Sequence, residues 1–340
     1  MDAFEKPVYL DSGATDSRVT NNTLHTNPTN GRAFALYSAG VNGLTISNNT
    51  IKSDFDYSLY MGEGISDTVA GNTINSSNNY TVYVVGNMHY FNFSYNTVYG
   101  NRTLSLDVVV LETGHGLSLS VVGNTIYGGL SPCANNFLIK DNYIIGTNRV
   151  METWCGARNH TYINNTVIAT AGMAYWWGDV AGGSTTTTPN ITFINNTFNA
   201  TGIAFYSPYV NSGGINLTNN VFTSSTSNGL YLAGFGITAS GNSFYSAAAN
   251  PLYLVGARNN TFVNNTLSSN TAAFSLAYLT AASYNNTFYW NNFTNASGKY
   301  VQDLNGSNYF NNSNPFAFTN LANVQLTVGR ATSQTRPHSR

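Results

Sequence analysis

Charge is what this sequence lacks most. Only 8% of its 340 residues are charged, against about 25% in ordinary soluble domains. The net charge is −1, so there is no basic surface with which to neutralise nucleic-acid phosphates. So few charges also give copies of the chain little electrostatic repulsion. The composition argues against nucleic-acid binding and leaves side-by-side packing of copies weakly opposed.

Long apolar runs are also missing. The best candidate, AAFSLAYLTAA, falls well short of the roughly 20 residues of a membrane span and is interrupted by Ser and Tyr. The opening residues, MDAFEKPVYLDSG, lack the basic start and apolar core of a signal peptide. We predict no membrane span and no cofactor.

What the sequence has instead is a repeat of Asn, a small polar residue and an apolar residue, as in NNTFVNNTLSSN at 259–270. Most steps between successive repeats are about 21 to 27 residues, a period typical of solenoids. The repeated asparagines are Asn22, Asn49, Asn72, Asn96, Asn124, Asn142, Asn165, Asn196, Asn220, Asn242, Asn265, Asn286 and Asn312.

Each repeat has the composition of strands and turns. Val, Ile, Phe and Tyr alternate with Asn, Gly, Ser and Thr, and no segment keeps a helical period. Stacked coils pair each strand with its copy one repeat later. The repeated Asn is expected both to adopt the left-handed backbone of the bend and to hydrogen-bond from coil to coil.

The recurrent NNTI and GNTI units resemble the right-handed parallel β-helix repeat of the pectin-lyase-like superfamily. That superfamily includes polysaccharide lyases and hydrolases, epimerases, viral tailspikes and the periplasmic accessory proteins of nitrous-oxide reductase. The Asn-rich, lysine-poor composition also resembles that of archaeal secreted surface proteins. The resemblance implies an all-β, right-handed parallel β-helix of about 12 to 13 coils with Asn ladders. We place the β-helix at 1–318 and a non-repeating C-terminal extension at 319–340.

Candidate chemistry lies where coils carry long excursions. Stacking would align such residues in one strip, and acids, a His and aromatic rings suit a sugar-binding groove. The rival interpretation is that the Trp side chains pack beneath a loop, and the chain is more readily a binding or structural protein than an enzyme. The groove candidates are Glu63, Glu112, His115, Glu152, Trp154, Trp177 and Asp179.

Other residues of these excursions are Asp67, Trp176 and His160. No set of His, Cys or acidic residues has convincing metal-ligand spacing, so no metal site is predicted.

Cys133 and Cys155 are the two cysteines, separated by one repeat. They are either two small buried thiols or a disulfide between neighbouring coils, and the coil spacing favours the disulfide.

Many positions fit the Asn-x-Ser/Thr acceptor pattern for N-glycans. Because the repeat itself generates such triplets, asparagines outside it are better candidates. These include Asn79, Asn92, Asn101, Asn199, Asn295 and Asn305.

These observations predict an extracellular, cell-surface protein. Open solenoid ends and low charge favour a subunit that assembles with itself, head to tail and laterally, into a filament, tube or sheath. The alternative is a carbohydrate-binding or polysaccharide-degrading β-helix, lyase-like, hydrolase-like or an adhesin.

Overall fold

The computed structural model describes residues 7–27, 34–54, 56–77, 80–100, 108–112, 116–153, 157–178, 190–209, 213–271, 273–295 and 299–310, and the backbone of 317–318 and 325–328. These residues form 40 strands and no helix. The strands build three parallel sheets of 14, 13 and 13 strands, and each coil contributes one strand to each sheet. The all-β, right-handed parallel β-helix predicted from the repeat is confirmed.

The strands alternate regularly among sheets A, B and C. Sheet A contains β1 (Val8–Leu10), β4 (Leu36–Ala39), β7 (Leu59–Ile65), β10 (Val82–His89), β13 (Val109–Glu112), β16 (Leu130–Pro132), β19 (Met151–Thr153), β22 (Tyr175–Trp177), β25 (Phe205–Ser207), β28 (Leu230–Leu232), β31 (Leu252–Leu254), β34 (Ala277–Leu279), β37 (Lys299–Asp303) and β40 (Gln325–Val328). Sheet B contains β2 (Arg18–Thr20), β5 (Thr45–Ser47), β8 (Thr68–Ala70), β11 (Asn92–Ser94), β14 (Leu119–Val122), β17 (Phe137–Lys140), β20 (Thr161–Ile163), β23 (Ile191–Ile194), β26 (Ile215–Thr218), β29 (Thr238–Ser240), β32 (Thr261–Val263), β35 (Thr287–Tyr289) and β38 (Tyr309–Phe310). Sheet C contains β3 (Thr23–Thr26), β6 (Thr50–Ser53), β9 (Thr73–Ser76), β12 (Thr97–Gly100), β15 (Thr125–Tyr127), β18 (Tyr143–Gly146), β21 (Thr166–Ala169), β24 (Thr197–Ala200), β27 (Val221–Ser224), β30 (Ser243–Ser246), β33 (Thr266–Ser269), β36 (Asn292–Asn295) and β39 (Ala317–Phe318).

Residue 318 is the predicted end of the β-helix. Beyond it, β40 still pairs in parallel with β37 in sheet A. The described residues include no helix with the length and apolarity needed to cross a membrane.

Alternation along each strand separates the core from the surface. In β24, Phe198 points inward, and it stacks on Phe222 of the next coil with ring centroids 5.3 Å apart. Phe222 in turn stacks on Phe244 at 5.2 Å. Such columns make one continuous apolar interior, which no single coil could bury alone.

The turn from sheet B to sheet C has two residues in every coil from β2–β3 to β35–β36. Its first residue has a positive φ, and its second is the ladder asparagine. The first residues are Asn21, Asn48, Gly71, Tyr95, Gly123, Asp141, Asn164, Asn195, Asn219, Gly241, Asn264 and Trp290. Both tasks were predicted for one Asn, whereas in the structure two neighbouring residues divide them.

One member of the predicted ladder belongs elsewhere. After Asn265, the ladder continues to Asn291, whose Oδ1 accepts from Asn265 N and Nδ2, both at 2.9 Å. Asn286 instead lies in a second, shorter ladder with Asn260 and Asn308 at the turn between sheets A and B. Asn312 lies outside the described residues.

From β1 to β36, length variation is confined to the two turns that flank sheet A. The connection from sheet A to sheet B ranges from two residues between β7 and β8 to thirteen between β22 and β23. Insertions in a solenoid that gather beside one face often mark its binding face. The outer face of sheet A is therefore the place to look for function.

Candidate functional site

A column of aromatic side chains runs along the outer face of sheet A. The second residue of each sheet A strand from β1 to β34 points outward, and the strand register stacks these residues coil upon coil. We call this column the aromatic strip: Tyr9, Tyr37, Tyr60 and Tyr83, then Trp176, Tyr206, Tyr231, Tyr253 and Tyr278.

The first part of the strip begins as a stack of parallel rings and ends with Tyr60 and Tyr83, whose ring planes are 55° apart. Tyr9 and Tyr37 have ring centroids 5.1 Å apart with planes 3° from parallel, and Tyr37 and Tyr60 are 4.9 Å apart at the same angle. Tyr57 and Tyr80 add rings beside Tyr83, at 5.5 Å each. Since neighbouring rings share their faces, this part offers ring edges and hydroxyl groups to a ligand.

The second part contains two tilted ring pairs and then a stacked pair, Tyr253 and Tyr278, with ring centroids 5.1 Å apart and planes 11° from parallel. Centroids of Tyr206 and Tyr231 are 4.8 Å apart with planes at 52°, and those of Tyr231 and Tyr253 are 5.4 Å apart at 32°. Trp176 begins this part, and the guanidinium carbon of Arg149 lies 4.3 Å from the centre of a Trp176 ring. This is a cation–π contact.

Two phenols of the strip, Tyr83 and Tyr231, have a raised pKa. Burial raises the pKa of Tyr231, with smaller contributions from Tyr206 and Tyr253. Burial also raises the pKa of Tyr83, reinforced by its hydrogen bond to Glu112. These two hydroxyls therefore stay protonated; the Tyr83 hydroxyl donates to Glu112, and the Tyr231 hydroxyl can both donate and accept a hydrogen bond.

Three residues interrupt the aromatic strip at its centre. In the coils between Tyr83 and Trp176, the outward position is taken by Val110, Ser131 and Glu152. Their exposed fractions are 2%, 0% and 4%, whereas the tyrosines of the strip are at least partly exposed. The strip is thus split into two parts by a covered segment.

The predicted groove residues do not converge. Glu112 ends β13 beside the strip and accepts a 2.7 Å hydrogen bond from the Tyr83 hydroxyl. Glu63 is exposed on β7, while Glu152 is buried on β19. Trp177 points inward and packs in the core, on the opposite side of sheet A from a surface groove. His115, Trp154 and Asp179 lie outside the described residues.

His160 is a core residue. Its Nε2 lies 2.5 Å from the carbonyl oxygen of Ala134, and its Nδ1 lies 3.1 Å from the hydroxyl oxygen of Tyr162. That hydroxyl lies 2.6 Å from Thr153 Oγ1, which also accepts from Tyr175. Burial lowers the pKa of His160 to about 4, so the ring is neutral near pH 7 and serves the internal network.

The remaining predicted sites are only partly described. Asn199 and Asn305 are exposed, and Asn92 is half-buried. Asn79, Asn101 and the side chain of Asn295 lie outside the described part, so N-glycosylation stays a prediction. Cys133 is buried, Cys155 is not described, and the disulfide also stays a prediction.

Metal ligands are not grouped in the described part of the chain. No set of three or more His, Cys, Asp or Glu residues there could hold a metal ion. What the site does offer is a row of tyrosine hydroxyls and ring edges, which can bind a repetitive polar ligand. The acids and aromatic residues of the excursions did not point to this row, because its tyrosines lie in the strands themselves.

This chain is similar to solved epimerase structures, and one family model matches it. The A-module of mannuronan C-5 epimerase AlgE4 of Azotobacter vinelandii is 11% identical, with a TM-score of 0.49 over 86% of this chain and 84% of that one. The periplasmic alginate epimerase AlgG is 11% identical, with a TM-score of 0.40 over 80% of this chain and 66% of that one. A search of curated proteins finds no match. The family model described as periplasmic copper-binding protein (NosD) matches residues 118–329, which is more than half of the chain, and the chain therefore belongs to the NosD family.

Proposed function

We propose that this protein binds a polysaccharide along the outer face of sheet A, outside the cytoplasm. The observation that carries the proposal is the aromatic strip, which presents one outward side chain per coil at the same register. The length variation in both turns beside sheet A supports the same face.

The spacing of the strip suits a sugar polymer. Neighbouring strands lie about 4.8 Å apart, close to the length of one pyranose residue in an extended glycan. A glycan lying parallel to the solenoid axis would therefore meet one outward aromatic side chain per sugar. The repeat of the protein and the repeat of the ligand would stay in step over several coils.

The chemistry of the strip suits the same ligand. Sugars carry hydroxyl groups that both donate and accept, and apolar C–H patches that rest against aromatic rings. Neutral tyrosine hydroxyls can make both kinds of hydrogen bond. Tyr206, Tyr231 and Tyr253 are all half-buried, so their ring positions are fixed before a ligand arrives.

A location outside the cytoplasm is supported by the family description, which is periplasmic. The finer prediction of a glycosylated cell-surface protein rests on exposed acceptor asparagines such as Asn199.

Binding without catalysis fits the described residues better than an enzyme does. Glu112 is hydrogen-bonded to Tyr83, and Glu152 is buried, so neither presents a free carboxyl to a bound sugar. Copper, which the family description names, does not fit the described residues either. His160 is hydrogen-bonded on both nitrogens, and no cluster of three ligating side chains in the described ranges includes it.

The test compares two pairs of tyrosines. Tyr231→Ala with Tyr253→Ala removes the middle of the second part of the strip. Tyr99→Ala with Tyr127→Ala is the matched control, because these rings stack 4.8 Å apart on the outer face of sheet C. Affinity electrophoresis against neutral and acidic polysaccharides measures binding.

We expect the strip variant to lose at least about tenfold in affinity for whichever polymer binds the wild-type protein, while the control retains it. Wild-type protein that binds no polymer, or equal losses in both variants, would refute the proposal.

Self-assembly remains a second proposal. β1 and β40 are the terminal strands of sheet A, and each has an outer edge able to pair with a strand of another copy.

A further inference from the structure

We infer that the aromatic strip is two separate glycan sites, so that one molecule holds two polysaccharide segments and can cross-link them. This inference rests on the proposed function. The N-terminal tract is the first part of the strip, namely Tyr9, Tyr37, Tyr60 and Tyr83. The C-terminal tract is the second part, namely Trp176, Tyr206, Tyr231, Tyr253 and Tyr278.

The division between the tracts is structural. Val110, Ser131 and Glu152 occupy the outward position in three consecutive coils, and all three are covered. A glycan lying on either tract cannot reach the floor of sheet A in these coils.

The inner ends of the two tracts differ in charge. At the N-terminal tract, the carboxylate of Glu112 accepts from Tyr83. At the C-terminal tract, the guanidinium of Arg149 lies over Trp176, and its buried Nε has no hydrogen-bond partner in the part of the chain that the structure describes. A single continuous binding face would have no reason to place opposite charges on either side of a covered break. Two sites that bind independently are free to differ in this way.

Each tract is long enough to hold a glycan segment. Four or five coils span roughly 15 to 20 Å at the strand spacing, the length of a short oligosaccharide. Two such sites on one rigid rod can engage two polymer chains at once, which converts weak single contacts into a durable cross-link.

The experiment measures binding and cross-linking separately. Protein is captured on a surface coated with the polysaccharide that it binds, and a fluorescently labelled sample of the same polysaccharide is then added. The N-terminal variant combines Tyr37→Ala with Tyr60→Ala, and the C-terminal variant combines Tyr231→Ala with Tyr253→Ala. The control is again Tyr99→Ala with Tyr127→Ala, and circular dichroism verifies that each variant is folded. If an alanine pair fails to fold, threonine replaces alanine, because a β-branched residue suits a strand.

Wild-type and control proteins are expected to bind the coated surface and to capture labelled polymer. Each single-tract variant is expected to bind the surface but to capture less than about a tenth of the label. A variant lacking both tracts should not bind.

Two results would overturn the inference while leaving the proposed function intact. One is wild-type protein that binds the surface yet captures no label. The other is single-tract variants that still capture label, which would trace cross-linking to association between copies. Failure of wild-type protein to bind any polysaccharide would instead refute the proposed function itself.

Discussion

The side-chain oxygen of Asn96 accepts two hydrogen bonds from Asn72, one from the backbone N at 2.9 Å and one from Nδ2 at 3.0 Å. The same pair of bonds recurs at every step from Asn22 to Asn291. Each ladder Nδ2 beyond Asn22 also donates to a backbone carbonyl of the preceding coil, as Asn72 does to Ile46 at 2.9 Å. The ladder thus satisfies backbone groups that the B–C turn would otherwise bury unpaired.

Removing one ladder side chain should lower the free energy of unfolding by much more than the small size of an asparagine suggests. In Asn165→Ala, the N and Nδ2 of Asn142 lose their acceptor, and the carbonyl of Ile139 loses a donor. Leaving these buried groups unsatisfied should lower the free energy of unfolding by about 2 to 4 kcal/mol. Urea denaturation measures the loss. Asn199→Ala, on the exposed face of sheet C, is the control, and equal midpoints for both variants would contradict the expectation.

Gly123→Ala should destabilise the B–C turn for two reasons. Gly123 has a φ of 67°, which costs an alanine about 1 to 2 kcal/mol. An added Cβ would also lie 2.6 Å from the ring of Tyr95 in the preceding coil. We expect a total loss of about 2 kcal/mol or more in a denaturation experiment.

Gly13→Ala is the matched control for Gly123→Ala, because nothing lies within 4 Å of a Cβ built there. The ring clash should be relieved in Gly123→Ala combined with Tyr95→Gly. No recovery in that double variant would show that the backbone alone sets the cost.

Asp67→Asn should stabilise the protein at neutral pH. The Asp67 side chain is 1% exposed; its Oδ1 accepts from Leu44 N at 2.8 Å, and its Oδ2 has no hydrogen-bond partner among the described residues. Burial raises the pKa of Asp67 from 3.8 to about 6. The folded state therefore holds a proton that the unfolded state has released, and stability falls as pH rises from about 4 through about 6.

The asparagine side chain of the Asp67→Asn variant cannot ionise, so this fall should disappear from the variant. Above the folded pKa, the variant should be more stable than wild type by at most about 3 kcal/mol. Denaturation midpoints at several pH values measure the difference between the two proteins. A difference that does not change with pH would show that Asp67 does not titrate as described.

Cys133 and Cys155 should be joined by a disulfide. Neighbouring coils bring Cα atoms into the range that a disulfide spans, and the two cysteines are one coil apart in the sequence. The intact mass of the protein should increase by the mass of two hydrogen atoms on reduction. An unchanged mass would leave two thiols in place.

Self-assembly should depend on the C-terminal strand. β40 is the last strand of sheet A, and deleting residues 321–340 replaces its edge with that of β37. Light scattering and electron microscopy at high protein concentration compare the two forms. Wild-type protein that remains monomeric would refute assembly, and filaments that survive the deletion would refute only the role of the C-terminal segment.

The fold could be predicted because the repeat acts locally. Asn-Asn-Thr supplies the bend residue, the ladder asparagine and the first residue of a strand at three consecutive positions. Every copy therefore favours the same local structure. Asn286 was misassigned because both turns of a coil can use the same tripeptide, and only the strand register separates them.

The candidate site could not be predicted in the same way. The tyrosines are spread one per coil over much of the chain, and only stacking brings Tyr231 beside Tyr253. Conversely, Trp177 and His160 occur in excursions that suggested a surface role, yet alternation and burial place both in the interior. Sequence spacing does not reveal which side of a strand a residue faces until the register is known.

The direction of the Asn ladder has a consequence for how the chain folds during synthesis. In every hydrogen bond between two ladder asparagines, the earlier coil donates and the later coil accepts, as from Asn142 to Asn165 and from Asn165 to Asn196. A coil that has just left the ribosome therefore holds an asparagine backbone N–H whose acceptor lies on the next coil. The rod can be completed from its N-terminal end, one coil at a time, in the order of translation.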